Sequence, residues 1–112
     1  MNSVTLLNNE ITAELKGIVE NITDSIAVKK IILFGSYAYG NPRNNSNIDL
    51  CVITDDKRRK IEIIWDIQEV AYKSAKHSLD ILVYRPDEFS DRSDSVSTIE
   101  KTISNKGILI YG

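Results

Sequence analysis

The stretch that decides the fold reads Ile31-Ile32-Leu33-Phe34-Gly35-Ser36-Tyr37-Ala38-Tyr39-Gly40, and it continues through Ser46-Asn47-Ile48-Asp49-Leu50-Cys51-Val52-Ile53. Its four leading apolar residues predict a buried strand that runs into a Gly-Ser turn. Gly35 lets the backbone approach a ligand closely, and Ser36 is expected to open a short helix whose free N–H groups favour an anion. The stretch therefore predicts a strand, a phosphate-binding turn and a second strand.

The second strand begins with polar residues at alternate positions. Successive side chains of a strand point to opposite faces, so Asn47 and Asp49 are expected to project together while Ile48 and Leu50 face the core. Two oxygen ligands at this spacing suit Mg²⁺, which binds one or two carboxylates and completes its shell with water and phosphate oxygens. The pattern therefore predicts a magnesium site.

Gly35-Ser36, ten intervening residues and Asn47-x-Asp49 together resemble the signature G-S-x10-D-x-D of the DNA polymerase β-like nucleotidyltransferase superfamily, in particular its minimal MNT-type members. Asn47 departs from the signature, because the family places an aspartate there. Asp80 is the candidate for the family's third carboxylate. The resemblance implies an α/β (α+β) fold: a single nucleotidyltransferase domain over residues 1–112, with a mixed sheet of about four strands and helices packed on it.

The resemblance also implies an activity, which is the transfer of a nucleoside monophosphate, AMP from ATP, to an acceptor hydroxyl with Mg²⁺ as cofactor. Asp49 and Asp80 would be catalytic, and Asp80 would help to deprotonate the acceptor. The implied binding residues are Gly35, Ser36 and Arg43 for the nucleotide, and Asn47, Asp49 and Asp80 for the metal.

Asn47 weakens the expectation of catalytic activity. Its neutral amide removes one of the three anionic charges that would hold two dications. At an effective dielectric near 20 and a distance of about 2 Å, the lost charge costs several kcal/mol before water and relaxation compensate. Each loss of about 1.4 kcal/mol in the transition state slows the reaction tenfold. Two functions therefore stay open: an enzyme, and an inactive nucleotidyltransferase fold that neutralises a partner by contact.

Short MNT-type proteins commonly pair with small helical HEPN proteins as toxin–antitoxin systems, in which the MNT member adenylylates a tyrosine of the toxin. The resemblance thus implies a HEPN-type partner, and a homo-oligomer also stays open. The 112 residues leave no room for a second, substrate-closing domain. Adenylyl transfer to an antibiotic is therefore a less favoured third reading.

Composition restricts the class of protein further. The net charge of −2 argues against a general nucleic-acid binder. The single cysteine, Cys51, excludes an internal disulfide and is expected in the core, as suits a reducing cytoplasm. No apolar run is long enough to span a bilayer, and the amino terminus lacks a signal pattern, so we expect a cytoplasmic protein.

Periodicity predicts the remaining elements. Strands are expected near 30–34, 47–54, 79–84 and 108–111, the last at a sheet edge, and short helices near 36–39 and 86–89. A final helix near 95–105 has Ser97 and Glu100 at capping-box spacing and Gly107 as its C-terminal cap. An amino-terminal helix shows apolar residues on one face, and charged residues on or near the other: Leu7, Ile11, Leu15, Ile18, Ile22 and Ile26 against Glu10, Glu14, Lys16 and Glu20.

The helix predicted near 59–75, which Asp55 or Asp56 is expected to cap, has two apolar stripes. A surface helix needs only the first stripe for its core contact. The second either broadens the buried face or forms an exposed patch that docks a partner or a second copy. The first stripe comprises Ile61, Ile64, Trp65, Ala71, Tyr72 and Ala75, and the second Ile63, Ile67 and Val70.

Three further polar side chains are considered for the site. His77, the only histidine, is expected to face solvent rather than to act as a base or ligand. Arg85, like Arg43, is expected to flank the nucleotide. Tyr37 and Tyr39 in the short helix are treated as neutral unless they contact a base or a partner.

Overall fold

The computed structural model describes residues 9–40, 42, 46–94 and 98–112. The described elements follow one another as α1 (Asn9–Ser25), β1 (Lys30–Phe34), α2 (Ser36–Tyr39), β2 (Ile48–Ile53), α3 (Lys60–Ala71), β3 (Leu79–Tyr84), α4 (Pro86–Ser93), α5 (Ile99–Lys106) and β4 (Ile108–Tyr111). Three strands and α2 have the predicted bounds, while β2 is one residue shorter at each end and α4 runs four residues further. None of the described helices is both long and apolar enough to cross a membrane.

The four strands form one mixed sheet in the order β3-β2-β1-β4. β1 is antiparallel to β2 and to β4, whereas β2 and β3 are parallel. The predicted mixed sheet of four strands is confirmed, and β4 lies at an edge as expected. The parallel pairing brings the first residues of β2 and β3 to the same end of the sheet.

Both faces of the sheet are covered by helices, and β2 contributes to both because its side chains alternate. Ile48 and Leu50 are fully buried in the larger core, which contains the apolar faces of α1 and α3. Cys51 faces the smaller core, together with Phe89 of α4 and Ile103 of α5. The predicted inward direction of Ile48 and Leu50 is therefore confirmed.

The apolar face of α1 is buried from Ile11 to Ile22, with Ile26 buried just after the helix, as predicted. Leu7 lies outside the described residues. The expectation for Glu14 is wrong, because this residue is only 5% exposed. Its carboxylate accepts hydrogen bonds from the segment before β3, which compensate for its burial.

The structure decides how the two apolar stripes of α3 are buried. Ile63 and Ile67 are fully buried in the core that α1 also lines, whereas Trp65 is 59% exposed and Tyr72 46% exposed. Ile61, Trp65 and Tyr72 of the first stripe were therefore wrongly placed against the core, although Ala71 of the same stripe is fully buried. The second stripe broadens the buried face. The side chain of Asn21 in α1 fixes this orientation by donating to the carbonyl of Val70 at 3.0 Å.

One of the predicted helix caps is confirmed, and the others differ from the predictions. Ser97 lies outside the described residues, and the hydroxyl of Thr98 caps α5 by accepting from the backbone N–H of Lys101 at 3.0 Å. Gly107 is the C-terminal cap of α5, as predicted: its backbone N–H donates to the carbonyl of Ile103 at 2.9 Å. The cap is extended, and an added Cβ would lie 2.5 Å from the same carbonyl oxygen. Neither Asp55 nor Asp56 caps α3. The Asp56 carboxylate accepts from the N–H of Arg58 instead.

Candidate functional site

Asp49 and Asp80 lie side by side at one end of the sheet. Each is the second residue of its strand, and the parallel register of β2 and β3 pairs them directly. Burial, a hydrogen bond to Asp80 and the negative charge of Asp80 together raise the pKa of Asp49 to about 6. This is the behaviour of two carboxyl groups that compete for one proton unless a cation is shared between them.

The Gly-Ser turn packs directly against this carboxyl pair. Gly35 follows β1 with φ of 75°, and a Cβ added to it would lie 2.0 Å from Oδ2 of Asp49. A residue without a side chain is therefore required both by the backbone conformation and by the contact. Ser36 then opens α2, as predicted, and the carbonyl of Gly35 accepts from Ala38 and Tyr39, both at 3.0 Å.

Asn47 immediately precedes β2, and its amide nitrogen donates to Oδ2 of Asp80 at 3.1 Å. The side chain thus joins the carboxyl pair, but it supplies a hydrogen where the family signature supplies a third negative charge. Within the described part of the chain, no group of three or more His, Cys, Asp or Glu side chains could hold a metal ion. Two carboxylates and an amide are nevertheless oxygen donors of the kind that Mg²⁺ accepts.

Of the two arginines predicted near the nucleotide, only Arg85 is described, and it is not brought to this carboxyl pair. Arg43 lies outside the described residues. Arg85 follows the far end of β3 from Asp80, and its guanidinium donates to the backbone carbonyls of Asp56 at 3.3 Å and Arg58 at 2.7 Å. Arg85 therefore holds the loop before α3, and its expected place beside the nucleotide is not supported.

A buried polar cluster behind the turn was missed by the sequence reasoning. Nδ1 of His77 lies 2.8 Å from Oε1 of Glu14, and the His77 ring meets the Tyr37 ring edge-on at 5.7 Å between centroids. His77 is partly buried, so its expected solvent-facing position is wrong. Burial, with the nearby Glu14 second, raises the pKa of Tyr37. The only hint in the sequence is that Glu14 borders the apolar face of α1.

The four-stranded sheet, the Asp49–Asp80 pair and the Gly-Ser turn agree with the family that the chain matches. The family model described as "Polymerase beta, Nucleotidyltransferase" matches residues 14–112, and the chain belongs to this family of nucleotidyltransferases. The predicted polymerase β-like fold is therefore confirmed. No curated protein matches the chain significantly.

Several solved structures are similar to the chain, and they include MNT antitoxins paired with HEPN toxins. A mutant of the toxin–antitoxin complex MntA–HpeT is 25% identical, with a TM-score of 0.62 over 88% of this chain and 73% of that one. A toxin–antitoxin structure with AMP-PNP is 24% identical, with a TM-score of 0.64 over 94% and 74%. The tri-AMPylated Shewanella oneidensis HEPN toxin in complex with MNT antitoxin gives 21% identity and a TM-score of 0.56 over 92% and 72%.

Proposed function

We propose that the protein is a minimal, single-domain adenylyltransferase that moves AMP from ATP to an acceptor hydroxyl, with Asp49 and Asp80 as its catalytic carboxylates. The observation that carries this proposal is the registered Asp49–Asp80 pair with the Gly35 turn pressed against it. A carboxylate pair beside a tight, glycine-led turn suits the positioning of a triphosphate and a divalent cation.

In this proposal each residue has a defined task. Gly35 and Ser36 hold the phosphate tail, and Asn47, Asp49 and Asp80 hold Mg²⁺, which stabilises the charge that develops on the phosphate oxygens. Arg43, outside the described residues, adds a cation to the nucleotide site.

The chemical step is a displacement at the α-phosphorus of ATP. The acceptor oxygen bonds to the α-phosphorus while the bond to the bridging oxygen breaks, and pyrophosphate leaves. The acceptor proton passes to Asp80. The carboxylate of Asp80 is suited to this role because it is exposed at the start of an edge strand.

We further propose that the acceptor is a tyrosine hydroxyl on a HEPN-type partner and that the protein acts as its antitoxin in the cytoplasm. The support comes from similar structures, one of which is an AMPylated HEPN toxin with its MNT antitoxin.

A second candidate function is inhibition by contact alone. The amide of Asn47 already satisfies one oxygen of Asp80, which stabilises the carboxyl pair without a metal. The outer face of α3 exposes a stripe of Ile61, Trp65 and Tyr72, which offers apolar area for a partner. Both features would fit a nucleotidyltransferase fold that binds its partner but no longer modifies it.

The two functions are separated by incubating the protein with a HEPN-type partner, taken from an adjacent gene, in the presence of Mg²⁺ and ATP labelled at the α-phosphate. We expect the natural chain to label the partner, Asn47→Asp to label it faster, and Asp49→Ala to leave it unlabelled. If a stable complex forms but neither the natural chain nor Asn47→Asp transfers label, inhibition by contact is correct. Unchanged labelling by Asp49→Ala would show that the metal site has been misplaced.

A further inference from the structure

The carboxylate of Glu14 is the only buried charge on the α1 side of the described sheet, and the proposed reaction does not use it. Its side chain is 1% exposed, yet both oxygens are occupied. Oε2 accepts from the backbone N–H groups of Lys76 and His77, and Oε1 lies 2.8 Å from Nδ1 of His77. Because a carboxylate accepts, Nδ1 carries the hydrogen in this pair.

Two parts of the candidate site converge on this one carboxylate. On one side, the His77 ring contacts Tyr37, which directly follows Ser36 in α2. On the other side, His77 leads through Ser78 into β3, and the carbonyl of Ser78 accepts from the N–H of Ile48 at 2.9 Å. The Glu14 carboxylate therefore connects the turn that begins α2 with the strand that carries Asp80.

We propose that Glu14 and His77 are positioning residues that hold the Gly35-Ser36 turn at the correct distance from Asp80 for binding a nucleoside triphosphate. The contact with the nucleotide rests on the function proposed above. The connection between α1, α2 and the start of β3 does not depend on it.

The four-residue helix α2 needs such support. A helix of one turn is not stable by itself, and tertiary contacts must fix its place. Within α2, Tyr37 is the buried residue, at 7% exposure, and it is the residue that His77 touches. Loss of Glu14 would leave His77 without its buried partner and would allow Tyr37, and with it Ser36, to shift.

A matched control exists on the opposite face of the sheet. Glu100 of α5 is also 5% exposed and pairs with Arg92 through Nη1 at 3.2 Å. Glu100→Ala removes a carboxylate of the same charge and similar burial as Glu14→Ala does, but Glu100 has no described contact with α2. Glu14→Gln is the conservative variant, because its amide oxygen can keep the two backbone hydrogen bonds while its NH₂ group donates to the other tautomer of His77.

The first measurement is amide hydrogen exchange of Ala38, Tyr39 and Gly40, whose N–H groups close α2. We expect exchange at least about tenfold faster in Glu14→Ala and His77→Ala than in the natural chain, with little change in Glu14→Gln and Glu100→Ala. Equal acceleration in Glu100→Ala, or uniform acceleration over the whole sheet in Glu14→Ala, would reduce Glu14 to a general stabiliser and overturn the inference.

The second measurement is the affinity of each variant for Mg²⁺-ATP. Displacing a binding group by about 1 Å weakens function on the order of tenfold to a hundredfold, so Glu14→Ala should bind at least about tenfold more weakly, with Glu100→Ala unchanged. Natural affinity in Glu14→Ala would overturn the role in nucleotide binding. If neither the natural chain nor Asn47→Asp binds ATP, the proposed function fails with that role, and hydrogen exchange still decides whether Glu14 holds α2.

Discussion

Asp49 and Asp80 are direct neighbours across the parallel strands β2 and β3, and their carboxyl groups are hydrogen-bonded to each other. Burial, followed by the hydrogen bond and the negative charge of Asp80, raises the pKa of Asp49 to about 6, so protonation of the pair is favoured. The pair is therefore a source of instability in the metal-free protein near neutral pH. This is a common property of sites that are arranged for a cation rather than for the fold.

The first prediction concerns this pH dependence. Between pH about 4 and about 6 the folded chain retains a proton on Asp49 that the unfolded chain has lost, so the free energy of unfolding falls as the pH rises through this range. We expect Asp49→Asn to remove this contribution and to exceed the natural chain in stability by on the order of 1 kcal/mol at pH 7.5. Urea unfolding in EDTA at pH 4 and 7.5 measures the difference. If the free energy of unfolding changed by the same amount between the two pH values in the natural chain and in Asp49→Asn, the prediction would be contradicted.

The second prediction concerns Asn47→Asp. A third carboxylate would repel Asp80 and abolish the hydrogen bond that the amide now donates at 3.1 Å. We expect a lower melting temperature in EDTA and a larger rise on addition of Mg²⁺ than for the natural chain. Asn105→Asp on the exposed side of α5 makes the same change in net charge and serves as the control. If Mg²⁺ raised the melting temperature of Asn47→Asp and Asn105→Asp by the same amount, Asn47 would be excluded from the metal site.

The third prediction compares two glycines with positive φ. Gly40→Ala meets only backbone strain, about 1–2 kcal/mol, because its added Cβ would have no neighbour within 4 Å. Gly35→Ala meets a larger backbone strain, because φ of 75° with ψ of −158° is essentially restricted to glycine. It also meets the carboxylate of Asp49 at 2.0 Å, so it should be clearly more destabilising. Urea unfolding of both variants tests this. A double variant of Gly35→Ala with Asp49→Gly should recover part of the loss, which would identify the contact as its cause.

The fourth prediction tests which residues of α3 contribute to the core. Ile67→Ala opens a cavity in the main core and should cost about 3 kcal/mol, whereas Trp65→Ala should change stability by no more than about 0.5 kcal/mol. Ile67 is fully buried and Trp65 is 59% exposed on the same helix. Chemical unfolding of the two variants gives the comparison directly. A larger loss for Trp65→Ala would restore the burial predicted from the sequence.

The fifth prediction concerns the single thiol. Burial, with the charge of Glu100 as a second cause, raises the pKa of Cys51 to about 12, and the residue has no exposed surface. Native protein at pH 8 should therefore react with a thiol reagent only as fast as it unfolds, while protein in urea reacts at once. Rapid labelling without urea would show that the core opens around Cys51.

Much of this architecture is predictable because it depends on neighbours in sequence. The strand β1, the turn at Gly35 and the alternation at Ile48 and Leu50 follow from local pattern and agree with the structure. The proximity of Asp49 and Asp80 needed the family resemblance, since two acids 31 positions apart carry no local signal. Their proposed roles in metal binding and catalysis stay predictions.

The errors arise where tertiary partners decide the outcome. Glu14 has the pattern of a surface residue, but its hydrogen-bond donors lie more than sixty positions later at Lys76 and His77. In α3 both stripes are apolar, so hydrophobicity alone could not say which one α1 would cover. The branched side chains of Ile63 and Ile67 are the ones that join the core that α1 also lines.

The position of β1 between β2 and β4 has a consequence for how the chain folds. β1 pairs with β2 soon after it in sequence, but its other neighbour, β4, follows more than seventy residues later. Contacts of such separation slow folding because a long loop must close before they form. During synthesis β1 presents an open edge until β4 leaves the ribosome, so the sheet is completed late, and this interval is when the chain is most exposed to strand-mediated aggregation.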